Sequence, residues 1–346
     1  YIFLIRFYFL FILLEVLLLH KKIDVKYFFY ICFILIIFVC LDLSLQFFSG
    51  KNILGYEPWE GRITGIFEHE AIAGSYVQKI FLFSLIAIFI QLIISSRKKD
   101  ILYIFSFITI FFGSYIANNR ISFLILFSLL FFLIIFFKEF RKNLIIALII
   151  LVPFFNYFYK NDDQLNLRYK GFINKISKII EFSGYNNKKE ADKNYEIDNE
   201  QINVSNSNLP NHLKIYITSY KSFEENYFLG SGLKSFRYNC YKFLNKKNTL
   251  CSTHPHNYHL EILHDSGLTG FLFLLIFALS LLIKKTKLIF TNNLSYKNKI
   301  ILSLLIVNFL IEIFPFKSTG SLFTTWNGSL FWLSIALLNY NENTKI

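Results

Sequence analysis

The chain has 346 residues, of which 54% are hydrophobic and 43 are phenylalanine, and it carries a formal charge of +13 at neutral pH. This composition excludes an ordinary soluble domain, and apolar runs that are continuous rather than alternating exclude a transmembrane β-barrel. The basic residues sit in short clusters between apolar runs, which fits orientation in a bilayer and not a groove for nucleic acid.

Taken in order, the apolar runs predict an all-α polytopic membrane protein with about nine transmembrane helices. They lie at roughly 2–19, 27–45, 72–95, 101–117, 121–137, 143–158, 268–283, 299–316 and 328–339. The first run contains Arg6 and Glu15 and lacks a small-residue cleavage site, so it reads as a span and not a signal peptide. The chain opens on Tyr1 and contains no methionine, from which a fragment lacking its natural start, with further spans before it, is expected.

Basic clusters at His20-Lys21-Lys22 with Lys26, Arg97-Lys98-Lys99, Lys138 with Arg141-Lys142, and Lys284-Lys285 with Lys287 all fall on one side of such a bundle. By the positive-inside rule that side is cytoplasmic. The opposite side, periplasmic in a bacterium, receives segments 46–71, 117–120, 159–266 and 317–321. The expected organisation is therefore six spans over 1–158, a large periplasmic segment over 159–267, and three spans over 268–346. Within the periplasmic segment, 186–211 is polar and reads as a flexible loop. Ile215, Tyr216, Tyr220 and Phe223 then follow helical spacing up to a break at Gly230-Ser231-Gly232.

Candidate chemistry collects on this outer side. The stretch from Cys251 to Gly270 holds His254, His256, Asn257, His259, Glu261, His264 and Asp265 just before a new apolar run. These histidines with Cys251 suggest zinc, but their spacing matches no common structural zinc pattern and no helical His-x-x-x-His pair is present, so no metal is expected. Gly230-Ser231-Gly232 reads either as a phosphate-cradling loop or as a plain turn between helices; it lacks the strand and lysine of nucleotide loops. Cys240 and Cys251, with ten residues between them in an oxidising compartment, are candidates for a disulfide, whereas Cys32 and Cys40 lie in an apolar run and read as core. Arg62, Arg120 and Lys317 are outer-face cations. Arginines there are either snorkelling interfacial groups or the fixed, planar forks that suit a phosphate or diphosphate. Arg6, Glu15 and Glu312 lie inside apolar runs but are too scattered to define an ion route, which argues against a transporter.

His256-Asn257, nine residues, then Gly267-Leu268-Thr269-Gly270 resembles the signature of the O-antigen ligase and O-antigen polymerase superfamily. Gly230-Ser231-Gly232 resembles the family's Gly-x-Gly loop, and Asn119-Arg120 its arginine at a helix start. Gly61-Arg62-Ile63-Thr64-Gly65 with Glu70 resembles a motif of its ligase-like branch. The resemblance implies an inner-membrane glycosyltransferase of the GT-C type, needing no metal or other cofactor, with its active face periplasmic. Its donor would be an undecaprenyl-diphosphate-linked glycan and its acceptor lipid A–core; polymerase and protein O-oligosaccharyltransferase relatives use other acceptors. It implies that Arg120 and a second cation hold the diphosphate and that His256 activates the acceptor hydroxyl. Asn257, Arg62, Glu70, Gly230, Gly232, Gly267 and Gly270 are expected to bind substrate. The family's second arginine is missing before the Gly-x-Gly loop, and His212, Lys214 and Arg237 are the alternatives for it. The family's usual span number implies roughly three more spans than this chain holds.

Overall fold

A computed structural model of the protein describes residues 2–20, 22–94, 98–174, 177, 209–246, 248–291 and 294–340. Of the flexible loop read over 186–211, residues 186–208 lie outside these residues and Asn211 opens a helix; Lys21 and Arg97 of the basic clusters also lie outside them. The described elements are helices: α1 (Ile2–Leu19), α2 (Val25–Ser49), α3 (Ala73–Ile94), α4 (Lys98–Ile116), α5 (Arg120–Phe136), α6 (Lys138–Asn161), α7 (163–174), α8 (Asn211–Glu225), α9 (Phe236–Asn239), α10 (Tyr258–Phe290), α11 (Tyr296–Glu312) and α12 (Thr325–Tyr340). Among the described residues the β pairing is confined to one isolated bridge, Trp59 with Arg62.

Each of the nine apolar runs lies on its own helix. The run over 299–316 outlasts its helix, because Pro315 has no amide to continue α11 and restricts the residue before it. By length and composition, four helices suffice to cross a membrane among the described residues: α2, residues 73–90 of α3, α6 and α10. α4 and α5 are apolar but shorter. Among the described residues the fold is thus all-helical, that of a membrane protein.

The chain divides into two compact units, one of Leu17–Gly171 and one built from the described residues of Tyr1–Val16 and Phe172–Asn343. In the first, α3 is buried on every face, from Val77 through Phe81, Phe83 and Phe89, because α2, α4 and α5 surround it. α2 crosses α4 closely at Gly113, where an added Cβ would meet the Cys40 side chain at 2.7 Å. The opposite side of α2 exposes Ile31, Ile34, Phe38, Leu41 and Leu45, an apolar stripe suited to lipid.

In the second unit, α10 packs against α8 and α11, and α11 against α12. α1 joins it through Phe11, whose ring lies 5.6 Å from Trp332. Glu15, an acid inside an apolar run, accepts a hydrogen bond from Asn339 Nδ2 at 3.1 Å. α10 is kinked at Gly267, and the apolar segment after that kink exposes Leu272, Phe273, Ile276 and Leu279.

Candidate functional site

In the first unit, two buried polar side chains of α2 shape the loop that carries Arg62. Gln46 Oε1 accepts from the Thr64 and Gly65 amides at 2.9 and 2.8 Å, and its Nε2 donates to the Tyr56 carbonyl at 3.0 Å. Asp42 Oδ1 accepts from the Ile53 amide at 2.9 Å. Gly65 is required here: its φ is +59°, and a Cβ would stand 2.8 Å from Asp42 Oδ2. Trp59 and Arg62 exchange backbone hydrogen bonds of 3.0 and 2.8 Å across a turn whose central residues, Glu60 and Gly61, both have positive φ. Arg62 is thereby presented at the end of a tight hairpin.

Arg120 opens α5 directly after Asn119. Instead of capping its helix, Asn119 sends Nδ2 to the Ala71 carbonyl at 3.0 Å, tying this start to the start of α3. Arg120 Nη1 donates to the Arg168 carbonyl at 3.1 Å, and Arg168 Nη2 donates to the Glu60 carbonyl. α7 is seated by Tyr169, whose ring stacks on Tyr115 at 5.1 Å and whose hydroxyl donates to the Tyr115 carbonyl at 3.1 Å. Burial, then the charges of Arg62 and Arg120, press the Arg168 guanidinium below the usual arginine value, with Glu60 opposing. Three guanidinium groups therefore gather within one another's field.

In the second unit, His256 adopts a left-handed conformation (φ +56°), which a side chain with a Cβ takes only when its surroundings hold it there. The hold is visible. Its carbonyl accepts from the Thr319 amide at 2.9 Å and from the Tyr216 hydroxyl at 3.4 Å. The next residue, Asn257, caps α10 by accepting from the Leu260 amide at 3.1 Å while its Nδ2 donates to the Pro315 and Lys317 carbonyls at 2.6 and 3.3 Å. Lys317 is itself pinned by a buried ion pair with Glu312 at 2.9 Å, and Tyr258 donates to the other Glu312 oxygen at 3.0 Å. Glu261, one turn into α10, accepts from the Leu322 amide at 2.8 Å. The loop between α11 and α12 is thus fastened to the histidine motif at both ends.

His256 Nε2 lies 3.2 Å from Ser252 Oγ, and its ring lies 4.0 Å from His254 and 5.0 Å from His212 between centroids. Burial first, then His254 and His212, lowers His256 to about 4, the Thr319 backbone opposing. Burial lowers His254 as well, the Thr319 backbone opposing and Arg237 and His212 adding to it. Both rings are neutral at neutral pH. Because folding favours the neutral ring, its contribution is fully present above the unfolded value of about 6.5 and is lost as pH falls toward about 4. Thermal unfolding of the purified protein should move to lower temperature across that interval. His256→Gln should flatten part of the decline, and an unchanged profile would contradict the buried, neutral ring.

The Gly230–Gly232 loop and the Gly267 kink interlock back to back. The Ser231 and Gly232 amides donate to the His264 and Asp265 carbonyls at 2.8 and 2.9 Å, and the Leu268 and Thr269 amides, freed by the kink, donate to the Tyr227 and Phe228 carbonyls at 2.8 and 3.2 Å. Asp265 Oδ2 accepts from the Lys234 amide at 2.6 Å, and its Oδ1 sits 2.8 Å from His264 Nδ1. Cys240 and Cys251 are joined in a disulfide, with Cα atoms 5.1 Å apart, over a small core of Ile215 and Phe236.

Of the sequence-predicted residues, Arg62 and Arg120 come together in one unit, and His212, Arg237, His256 and Asn257 in the other. Lys214 lies about 200° around α8 from His212, away from the face that meets the motif. Glu70 is exposed on the turn before α3, and no interaction of its carboxylate with the arginines is seen among the described residues. Gly270 packs against Ser266 within its own helix. Sequence reading missed Arg168, Ser252 and the fastening roles of Glu261 and Asp265. The signal for Arg168 was the apolar pair Leu165 and Tyr169, four apart, which marks a helix seated against the protein.

A family model described as O-antigen ligase matches residues 105–275, which include Arg120, Arg168, His212, Gly230, Arg237, His256 and Gly267. No curated protein and no solved structure matches the chain. Residues 105–275, which hold the histidine motif and the Gly267 kink, are thus similar to the O-antigen ligase family.

Proposed function

We propose that the protein is an inner-membrane glycosyltransferase of the GT-C type, with about nine spans in this chain and its active face periplasmic. It transfers a glycan from undecaprenyl diphosphate to a lipid A–core acceptor. The observation that carries this reading is His256, held neutral in a strained, fully braced turn at the edge of an apolar helix. In the reaction the bond between the anomeric carbon and the diphosphate oxygen breaks, and a bond from the acceptor oxygen to that carbon forms. The acceptor's proton passes to the neutral imidazole of His256, oriented by Ser252, and the electron pair leaves on the diphosphate. A ring with so low a pKa is a weak base at rest, and the negative charge of the donor raises it. Arg62 and Arg120 stabilise the charge that develops on the leaving diphosphate. Asn257, Gly230, Gly232, Gly267 and Gly270 serve by fixing backbone around the motif, Arg237 supplies cationic character there, and the His212 ring packs against His256.

The test is complementation of a bacterial strain lacking its O-antigen ligase, with lipopolysaccharide resolved on a gel beside the pool of lipid-linked glycan. Capped lipopolysaccharide should return with the gene. Longer lipid-linked chains without transfer to core would instead identify a polymerase, and glycan on protein an oligosaccharyltransferase.

A further inference from the structure

The cluster in the first unit holds one cation more than the sequence assigns. We propose that Arg168 is a direct ligand of the diphosphate and completes, with Arg62 and Arg120, a three-guanidinium cradle; this rests on the donor class proposed above.

Arg168 reaches the cluster through a chain of contacts. Its Nη2 donates to the Glu60 carbonyl and so holds the hairpin that presents Arg62. Its own carbonyl accepts from Arg120 Nη1 at 3.1 Å. A Cβ at Gly61 would stand 3.4 Å from Arg168 Nη2 and 2.9 Å from Gln164 Oε1, so glycine lets the hairpin close on α7. These contacts fix where the fork lies but do not use it up. Arg168 Nε is buried with no hydrogen-bond partner among the described residues, and a buried donor left unmade is unfavourable unless something is there to accept it.

The charges point the same way. The field of Arg62 reaches Arg120, and both reach Arg168, so the three repel one another in a partly buried place. Glu60 offsets this in part. Like charges gathered against that cost are stabilised by an anion. A diphosphate offers more negative charge and more acceptor oxygens than a single phosphate, and planar forks match those oxygens pairwise. A third fork therefore selects for the second phosphate group.

The experiment measures binding of inorganic pyrophosphate and of inorganic phosphate to the purified full chain in nanodiscs, at fixed ionic strength. The wild type should prefer pyrophosphate. Arg168→Ala should weaken pyrophosphate at least about tenfold, the loss of one charge-assisted hydrogen bond, while phosphate binding changes little. Arg168→Lys keeps the charge but loses the fork, and should show the same loss of preference if the alanine variant does not fold. An equal loss for both anions would mean that Arg168 only holds the hairpin, and would overturn the proposal. So would a wild type that binds no pyrophosphate while restoring capped lipopolysaccharide in the strain test, which leaves the ligase reading standing. Pyrophosphate preference that depends on Arg168, with no glycan moved in the strain test, would uphold the cradle and sink the ligase reading.

Discussion

Gly267→Ala is expected to prevent the protein from accumulating in folded form. At φ +66° and ψ −167°, Gly267 occupies a region that L-residues with a Cβ enter only at a cost of about 1–3 kcal/mol. The new methyl group would also overlap the Phe228 carbonyl and approach the Gly230 amide at 2.6 Å. Backbone cannot swing aside as a side chain does, so the overpacking adds a further roughly 1–3 kcal/mol. The sum is a large share of the roughly 5–15 kcal/mol that holds a typical fold together. Two other glycines separate the causes. Gly232, at φ +97° with nothing near its missing Cβ, should show strain without overlap and a smaller loss. Gly171, in α7 with open space and no positive φ, should tolerate alanine with unchanged or slightly higher stability. Yield and thermal unfolding of the three variants in detergent check the order; a folded Gly267→Ala protein with wild-type stability would contradict the interlock.

Arg120→Ala should lower glycan transfer by about a hundredfold to a thousandfold, the range seen when one preorganised donor to a developing anion is removed. Arg120→Lys should recover only part of this. Lysine keeps a charge near the diphosphate but presents no planar fork and cannot match two oxygens at once. It also loses the reach by which Nη1 meets the Arg168 carbonyl at 3.1 Å. Initial rates on a lipid-linked glycan, with protein levels matched, decide the matter, and a lysine variant at wild-type rate would remove the geometric argument for arginine.

The helices were legible because continuous apolar runs of span length leave the backbone one economical arrangement in lipid. The histidine motif was legible because its residues are local, a single stretch from Cys251 to Gly270. What stayed hidden depends on contacts between distant parts of the chain. Arg168 touches Glu60 across 108 positions, and nothing near it in sequence announces that partner. Asp42 and Gln46, at the end of an apolar run, have no sequence neighbour that announces a partner, yet they fix the loop that carries Arg62. Glu312 read as an isolated acid in an apolar run; its partners, Tyr258 and Lys317, appear only when α10 meets the loop after α11. His212, Lys214 and Arg237 were equivalent on paper. Helical rotation separates the first two, and the charge of Arg237 acts on His254.

The central claim is that His256 takes the acceptor's proton. It is tested most directly in proteoliposomes holding the protein, a labelled undecaprenyl-diphosphate glycan and a lipid A–core acceptor, by following acceptor-dependent release of undecaprenyl diphosphate. His256→Ala, folded and present at the wild-type level, should release it about a hundredfold to ten-thousandfold more slowly. Release at the wild-type rate by that variant would contradict the role given to His256.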